Sequence, residues 1–250
     1  VGTPHAAHAK PDCYTLLWGT SSSLAIAPHL YANLKYDPLK SFKPISLVAT
    51  APFILVAKPS LGVKSVADLV TMAKDHPKKL NFASTGRGGS THLTAELFAA
   101  TTGISAVHIP YKGGAPAMNA LLAGDVDFLF DTPTTIVPMV KAGRITALAV
   151  TSQDRWNELP DVPTLQQLGY KNFDASTWFG LLAPAGTPDK IIDFLNKAAV
   201  SVLQDPAIIK SLHKAGFGVK FSTEEQFTRQ IAADSKKWGS LIASKNIKIE

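Results

Sequence analysis

The chain is short of cysteine, of long apolar runs and of clustered charge, and each shortage excludes something. Of its 250 residues only Cys13 is a cysteine, which rules out an internal disulfide and any thiolate-rich metal cage while remaining compatible with export. The most apolar stretch, 45–57, falls well short of the roughly 20 apolar residues a membrane helix needs, and Pro52 interrupts it. No basic, apolar and small-residue signal opens the sequence at Val1, so a targeting segment is expected to have been removed or to lie outside it. Lys and Arg total 25 against 19 Asp and Glu, a formal charge of +6, yet adjacent basic pairs occur only at Lys78-Lys79 and Lys236-Lys237, without interleaved aromatics. A stripe that tracks nucleic-acid phosphates is therefore not expected, and the charge reads as a mild bias toward small anions.

The hydrophobic share, 46% of the chain, can build one large core or two small ones. From Tyr14 onward short apolar runs alternate with longer helical ones, the mark of an α/β protein whose parallel strands are joined by crossover helices. Strands are expected at 15–18, 45–48, 53–57, 80–83, 107–109, 126–130, 146–150 and 178–182. Helices are expected near 65–75, 91–102, 115–123, 134–142, 189–204, 206–215 and 223–244. Ser65 with Asp68 and Ser222 with Glu225 have capping-box spacing, and Pro188 suits a first helical turn. Phe227, Ile231, Trp238 and Ile242 recur at helical spacing and read as core. Two extended, proline-containing runs, 46–59 and 173–188, read as crossings between lobes. They divide the chain into a discontinuous lobe, 1–55 with 177–250, and a middle lobe, 56–176. The middle lobe holds three units of strand, polar turn and helix. Each turn lies at the carboxyl end of its strand, where open α/β sheets bind ligands.

The first of these turns runs Ser84-Thr85-Gly86-Arg87-Gly88-Gly89-Ser90 into a helix. Its glycines let the backbone approach a ligand, and the helix start with neighbouring hydroxyls supplies donors for an anion; an ordinary glycine-rich connection is the competing reading. GxxxxGK[ST] is absent and Thr91 stands where GxGxxG requires its third glycine, so phosphate esters are not indicated. In the second turn Tyr111 offers a phenol to a carboxylate or a wall to a cavity, with a plain surface turn equally open. In the third, Asp131 follows an apolar strand, either to meet a ligand or to cap the next helix. Thr20, Ser21 and Ser22 repeat the pattern after the first strand, so two helix starts together would suit the two ends of a dicarboxylate.

Catalytic constellations are weak by comparison. No GxSxG elbow occurs, and the Ser211-x-x-Lys214 match sits in an amphipathic helix away from the turns. His5 and His8 have ligand spacing without an acidic partner nearby, and Asp125 and Asp127, around a strand start, are not expected to form a glycosidase pair. His92 and His108, with no orienting partner visible in sequence, read as structural. No catalytic residue, metal site or cofactor is expected.

Motifs spread along most of the chain resemble one family. They are Pro11-Asp12-Cys13-Tyr14-Thr15-Leu16-Leu17, Tyr36-Asp37-Pro38, Phe42-Lys43-Pro44-Ile45, residues 84–93, Pro110-Tyr111-Lys112-Gly113, residues 127–131 and Trp178-Phe179-Gly180-Leu181-Leu182-Ala183-Pro184. In this order they resemble the Bug-type receptors, the extracytoplasmic solute-binding components of tripartite tricarboxylate transporters. The resemblance implies a type II-like periplasmic binding protein fold, two α/β lobes with a central cleft that closes on a small organic acid without turning it over. It also implies a monomeric periplasmic protein with membrane transporter subunits as partners; a sensing protein of the same fold and a histidine-and-hydroxyl hydrolase are the alternatives. Carried over residue by residue, it places Thr20, Ser21, Ser22, Ser84, Thr85, Gly86, Arg87, Gly88, Gly89, Ser90, Tyr111, Asp131 and Trp178 near the ligand. Three departures stand out. The family's opening strand and Pro/Gly-rich loop are missing, so the first lobe is expected to lack its N-terminal strand and helix; Cys13 replaces a usual glycine; and Arg87 replaces a small or polar residue.

Overall fold

A computed structural model describes residues 2–171 and 173–249. In chain order its elements are α1 (Gly2–Ala7), β1 (Leu17–Thr20), β2 (Phe42–Ala51), β3 (Ile54–Ala57), α2 (Val66–Asp75), β4 (Asn81–Ser84), α3 (Ser90–Thr102), β5 (Val107–Pro110), α4 (Gly114–Ala123), β6 (Phe128–Asp131), α5 (Pro133–Lys141), β7 (Thr146–Val150), β8 (Thr177–Pro184), α6 (Asp189–Leu203), α7 (Pro206–Lys214), β9 (Gly218–Val219) and α8 (Glu224–Ser244). They form two compact units: one from the residues up to 51 together with those from 177 onward, the other from 52–176.

The 52–176 unit is a five-stranded sheet in the order β5-β4-β6-β3-β7. β4 runs parallel to β5 and β6, while β3 is antiparallel to β6 and β7. β3 and β6, which lie inside the sheet, are buried at every position, as a strand covered on both faces must be. Ile54, Val56, Leu129 and Val150 meet Leu121, Ile136 and Val137 from the helices in one apolar cluster.

The other unit is a four-stranded sheet, β1-β8-β2-β9, antiparallel throughout. This corrects the expectation of parallel strands there. β2 carries the chain out of this unit and β8 brings it back, so the two must run in opposite directions when they pair. Pro44 is accommodated in β2 because β9 pairs only with Ala49 and Thr50, and because the register against β8 shifts beside it. α8 buries Phe227, Ile231, Trp238, Leu241 and Ile242. Its start corrects the expected capping box by one residue: Thr223 is the N-cap, accepting the Gln226 N–H at 3.2 Å, while the Gln226 side chain accepts in return from the Thr223 N–H at 3.0 Å. At α2 the cap is Ser65, which accepts from the Asp68 N–H, and the Asp68 carboxylate reaches past it to the Lys64 N–H.

Candidate functional site

Because β4, β5 and β6 are parallel, their carboxyl ends at Ser84, Pro110 and Asp131 fall on one edge of the 52–176 sheet, Ser84 paired in register with Pro110. The three turns singled out in the sequence therefore come together. The first two are bonded to each other: the Tyr111 N–H donates to the Ser84 carbonyl at 3.0 Å and the Gly113 N–H to the Thr85 carbonyl at 3.2 Å. The Thr85 N–H donates to Thr91 Oγ1 at 3.0 Å, and the two threonine hydroxyls lie 2.9 Å apart. Gly88, at φ 74, adopts a left-handed turn that a side chain disfavours. α3 then begins at Ser90 from Gly89 with no side chain capping it. An uncapped helix start beside a glycine loop directs backbone N–H groups and partial positive charge outward. Arg87 is exposed on the same loop.

Two members of this set are buried rather than presented. Ser84 is 1% exposed, and its hydroxyl donates to the Gly86 carbonyl at 3.0 Å, accepts from the Gly86 N–H at 3.2 Å and meets His108 Nε2 at 2.7 Å. Asp131 is 5% exposed and accepts from the Thr132 N–H at 2.7 Å through Oδ1, the role of a local helix-start anchor. Its Oδ2 is buried without a donor at hydrogen-bonding distance, against Gly114, where an added Cβ would stand only 2.7 Å away. Burial raises this carboxyl above its ordinary value, with the Thr132 N–H and the Thr135 and Thr132 side chains pulling weakly the other way. Tyr111 is half-buried, packed against the apolar cluster of its unit.

Two residues that the sequence left as structural form the floor of the glycine loop. His92 and His108 stack with ring centroids 3.7 Å apart and planes 12° from parallel, and Phe82 continues the stack at 5.0 Å from His108. Burial, then the His108 ring, then Arg87 lower the His92 pKa to about 3; burial and Arg87 lower that of His108 to about 4. The 3.8 Å approach of Glu96 to His92 Nε2 is thus not an ion pair at neutral pH, and it is too long for a hydrogen bond. Nothing in the spacing of these histidines signalled their meeting, which depends on the pairing of β4 with β5 and the return of α3 over them.

In the other unit Thr20, Ser21 and Ser22 lie together after β1 but are largely engaged with their own surroundings. The Thr20 N–H donates to Ser23 Oγ and the Ser23 N–H to Thr20 Oγ1, both at 3.2 Å, while Ser21 Oγ lies 3.0 Å from Thr177 Oγ1. The chain then makes a single π-helical turn, Ser22–Ile26, and a short 3-10 turn, Ala27–His29. This corrects the expectation of a second helix start like that of α3, because so short a helical segment aligns few peptide dipoles. Trp178, which the resemblance puts near the ligand, has its side chain inside the unit: it is 2% exposed, edge-on to Phe227, with its indole N–H donated to Asp234 Oδ2 at 2.6 Å.

A hydrolytic reading would use Ser84 and His108 as nucleophile and base. The geometry opposes it, since the hydroxyl is buried, already donates to Gly86, and faces an imidazole held far below neutrality. Among the described residues no group of three or more His, Cys, Asp or Glu could hold a metal ion, and no helix is long and apolar enough to cross a membrane.

The sequence profile of the tripartite tricarboxylate transporter family receptor (TctC) matches residues 1–247. Protein BugT of Bordetella pertussis is 34% identical over 251 aligned positions, covering 100% of this chain and 77% of BugT. Among solved structures, R. palustris Rpa4515 with adipate superimposes with a TM-score of 0.87 at 31% identity, covering 98% of this chain and 83% of that one. The periplasmic binding protein BugD gives 0.84 at 33%, covering 99% and 83%. The two α/β units are therefore those of a periplasmic binding fold.

Proposed function

The chain belongs to the tripartite tricarboxylate transporter receptor family, and from that premise we propose that it is a periplasmic receptor, not an enzyme, that captures a small organic acid for a tripartite tricarboxylate-type transporter. The observation that carries the carboxylate is the uncapped start of α3 behind a glycine-rich loop, at a sheet edge shared with the Tyr111 turn. In this reading the backbone N–H groups of Arg87 and Ser90 and the hydroxyls of Thr85, Ser90 and Tyr111 are the donors, while the N–H groups of Gly86 and Gly89 are spent on Ser84 Oγ and the Gly86 carbonyl within the loop. Ser84 and Asp131 hold the shape of the loops. Arg87 adds a charge that favours a second anionic group on the ligand. Adipate bound to Rpa4515 supports a linear dicarboxylate as the first ligand to test.

The test is thermal unfolding of the chain with mono-, di- and tricarboxylates at constant ionic strength. A ligand at about 1,000 times its dissociation constant adds roughly 4 kcal/mol of stability, a shift on the order of ten degrees in a chain of this size. A shift confined to one or two acids is expected. Flat transitions with every acid would overturn the carboxylate reading, and turnover of any acid or ester that His108→Phe abolished would overturn the receptor.

A further inference from the structure

The histidine pair beneath the glycine loop has chemistry that neither packing nor the proposed ligand contacts explain. The Gly88 N–H donates to His92 Nδ1 at 3.0 Å, so the side-chain bond that grips the tip of the loop comes from a ring nitrogen four residues ahead in α3. This bond needs an unprotonated Nδ1, which assigns His92 to the Nε2–H tautomer. At the base of the loop Ser84 Oγ spends its proton on the Gly86 carbonyl, so it can only accept from His108, which is thereby also an Nε2–H tautomer. The two rings then hold each other face to face against Phe82.

We infer that His92 and His108 are positioning residues for anion binding: as neutral imidazoles they clamp the tip and the base of the 84–90 loop, so that its remaining N–H groups stand ready for a carboxylate. The inference rests on the receptor reading for its purpose, though not for its geometry. It deepens that reading by assigning the preformed shape of the site to two histidines that need not touch the ligand. Protonation would undo the arrangement: His92 would present N–H to the N–H of Gly88, and a cation on either ring would lie buried beside Arg87. The charged and titratable groups that face the pair are Arg87 from the loop, Glu96 one turn further along α3, and the rings themselves. Burial keeps both rings neutral down to about pH 4, helped at His92 by repulsion from His108 and Arg87 and at His108 by repulsion from Arg87, so the clamp is intact across the neutral range.

Long-range ¹H–¹⁵N correlation on the full chain at pH 7 is expected to show both histidines as Nε2–H tautomers, with no imidazolium signal from either. An Nδ1–H tautomer or a cation at His92 would overturn the clamp without any substitution being made. Amide exchange at Gly88 supplies the second arm. His92→Phe keeps a stacked ring but removes the acceptor, and Gly88 exchange is expected to rise about tenfold, the equivalent of ~1.4 kcal/mol. His92→Asn places Oδ1 where Nδ1 was and is expected to restore most of the protection, which a merely space-filling role would not do. Equal exchange in the two variants would sink the proposal; if His92→Phe does not fold, His108→Phe with the same readout at Gly86 takes its place, and unchanged Gly86 exchange there would sink it likewise. Adipate titration of the same proteins separates the two readings. Weaker binding by His92→Phe with recovery in His92→Asn ties the clamp to ligand capture. Equal binding by wild type and His92→Phe would deny the clamp a role in capture, and an adipate-blind wild type would count against the dicarboxylate assignment, leaving the tautomer and exchange results to decide the clamp.

Discussion

At the scale of single residues the most informative position is Cys13, which the family resemblance marks as a usual glycine. It sits at φ 66, in the left-handed region, and is exposed. A side chain there costs about 1–2 kcal/mol, of which glycine's extra unfolded-state freedom would take back roughly half. Cys13→Gly is therefore expected to raise stability by about 0.5–1 kcal/mol, or roughly 1–4 °C in melting temperature. Cys13→Ala should bring no such gain, because it leaves the backbone strain in place. A melting curve for each variant decides it, and an equal rise in both would point to the thiol instead. Buried hydroxyls and rings make the complementary case: the hydroxyl of Ser84 and the N–H of Trp178 were legible as chemistry-bearing groups, but only their partners His108 and Asp234 reveal how those groups are used.

At the scale of elements, the strands and helices follow local pattern closely, and their junctions follow close approach. β8 lies between β1 and β2, and at Gly180 an added Cβ would come within 2.3 Å of the Phe227 ring and 2.9 Å of the Ser46 carbonyl. Phe227 is fully buried against Trp178, so neither neighbour has room to yield. Gly180→Ala is expected to cost about 1–3 kcal/mol through overpacking, read as a lowered midpoint in urea with an unchanged slope. A variant as stable as the parent would show that α8 can move away from the sheet. The run Trp178-Phe179-Gly180-Leu181 declared a strand; it did not declare which element required the missing side chain. The α8 cap shows the same division, since Ser222 and Thr223 are both able caps and local spacing favoured the wrong one. Ser222 is instead held by β2, exchanging bonds with Ser46 and Leu47.

For the whole molecule, connectivity and packing differ between the two units. All five strands of one sheet, β3 to β7, come from the continuous segment 52–176, together with its own apolar cluster. The other sheet cannot form from the first 51 residues, because β1 and β2 have β8 as their common partner. A chain ending at residue 176 is thus expected to keep one folded unit and lose the other. Limited proteolysis followed by mass spectrometry should trim it to a resistant fragment starting near Pro52. Resistance of the first 51 residues would mean that β1 and β2 find other partners.

Alternating apolar runs, turn residues and proline-bearing crossings determined which long elements form and roughly where they lie, and glycine with hydroxyls marked the turns to consider for an anion. These are preferences of neighbours in the chain, and they act before any fold exists. The antiparallel course of β1, β8 and β2, the stacking of His92 on His108, the neutrality of both rings and the burial of Asp131 were decided only by tertiary structure. Each depends on groups distant in sequence being brought into contact and removed from water, and no local spacing encodes that.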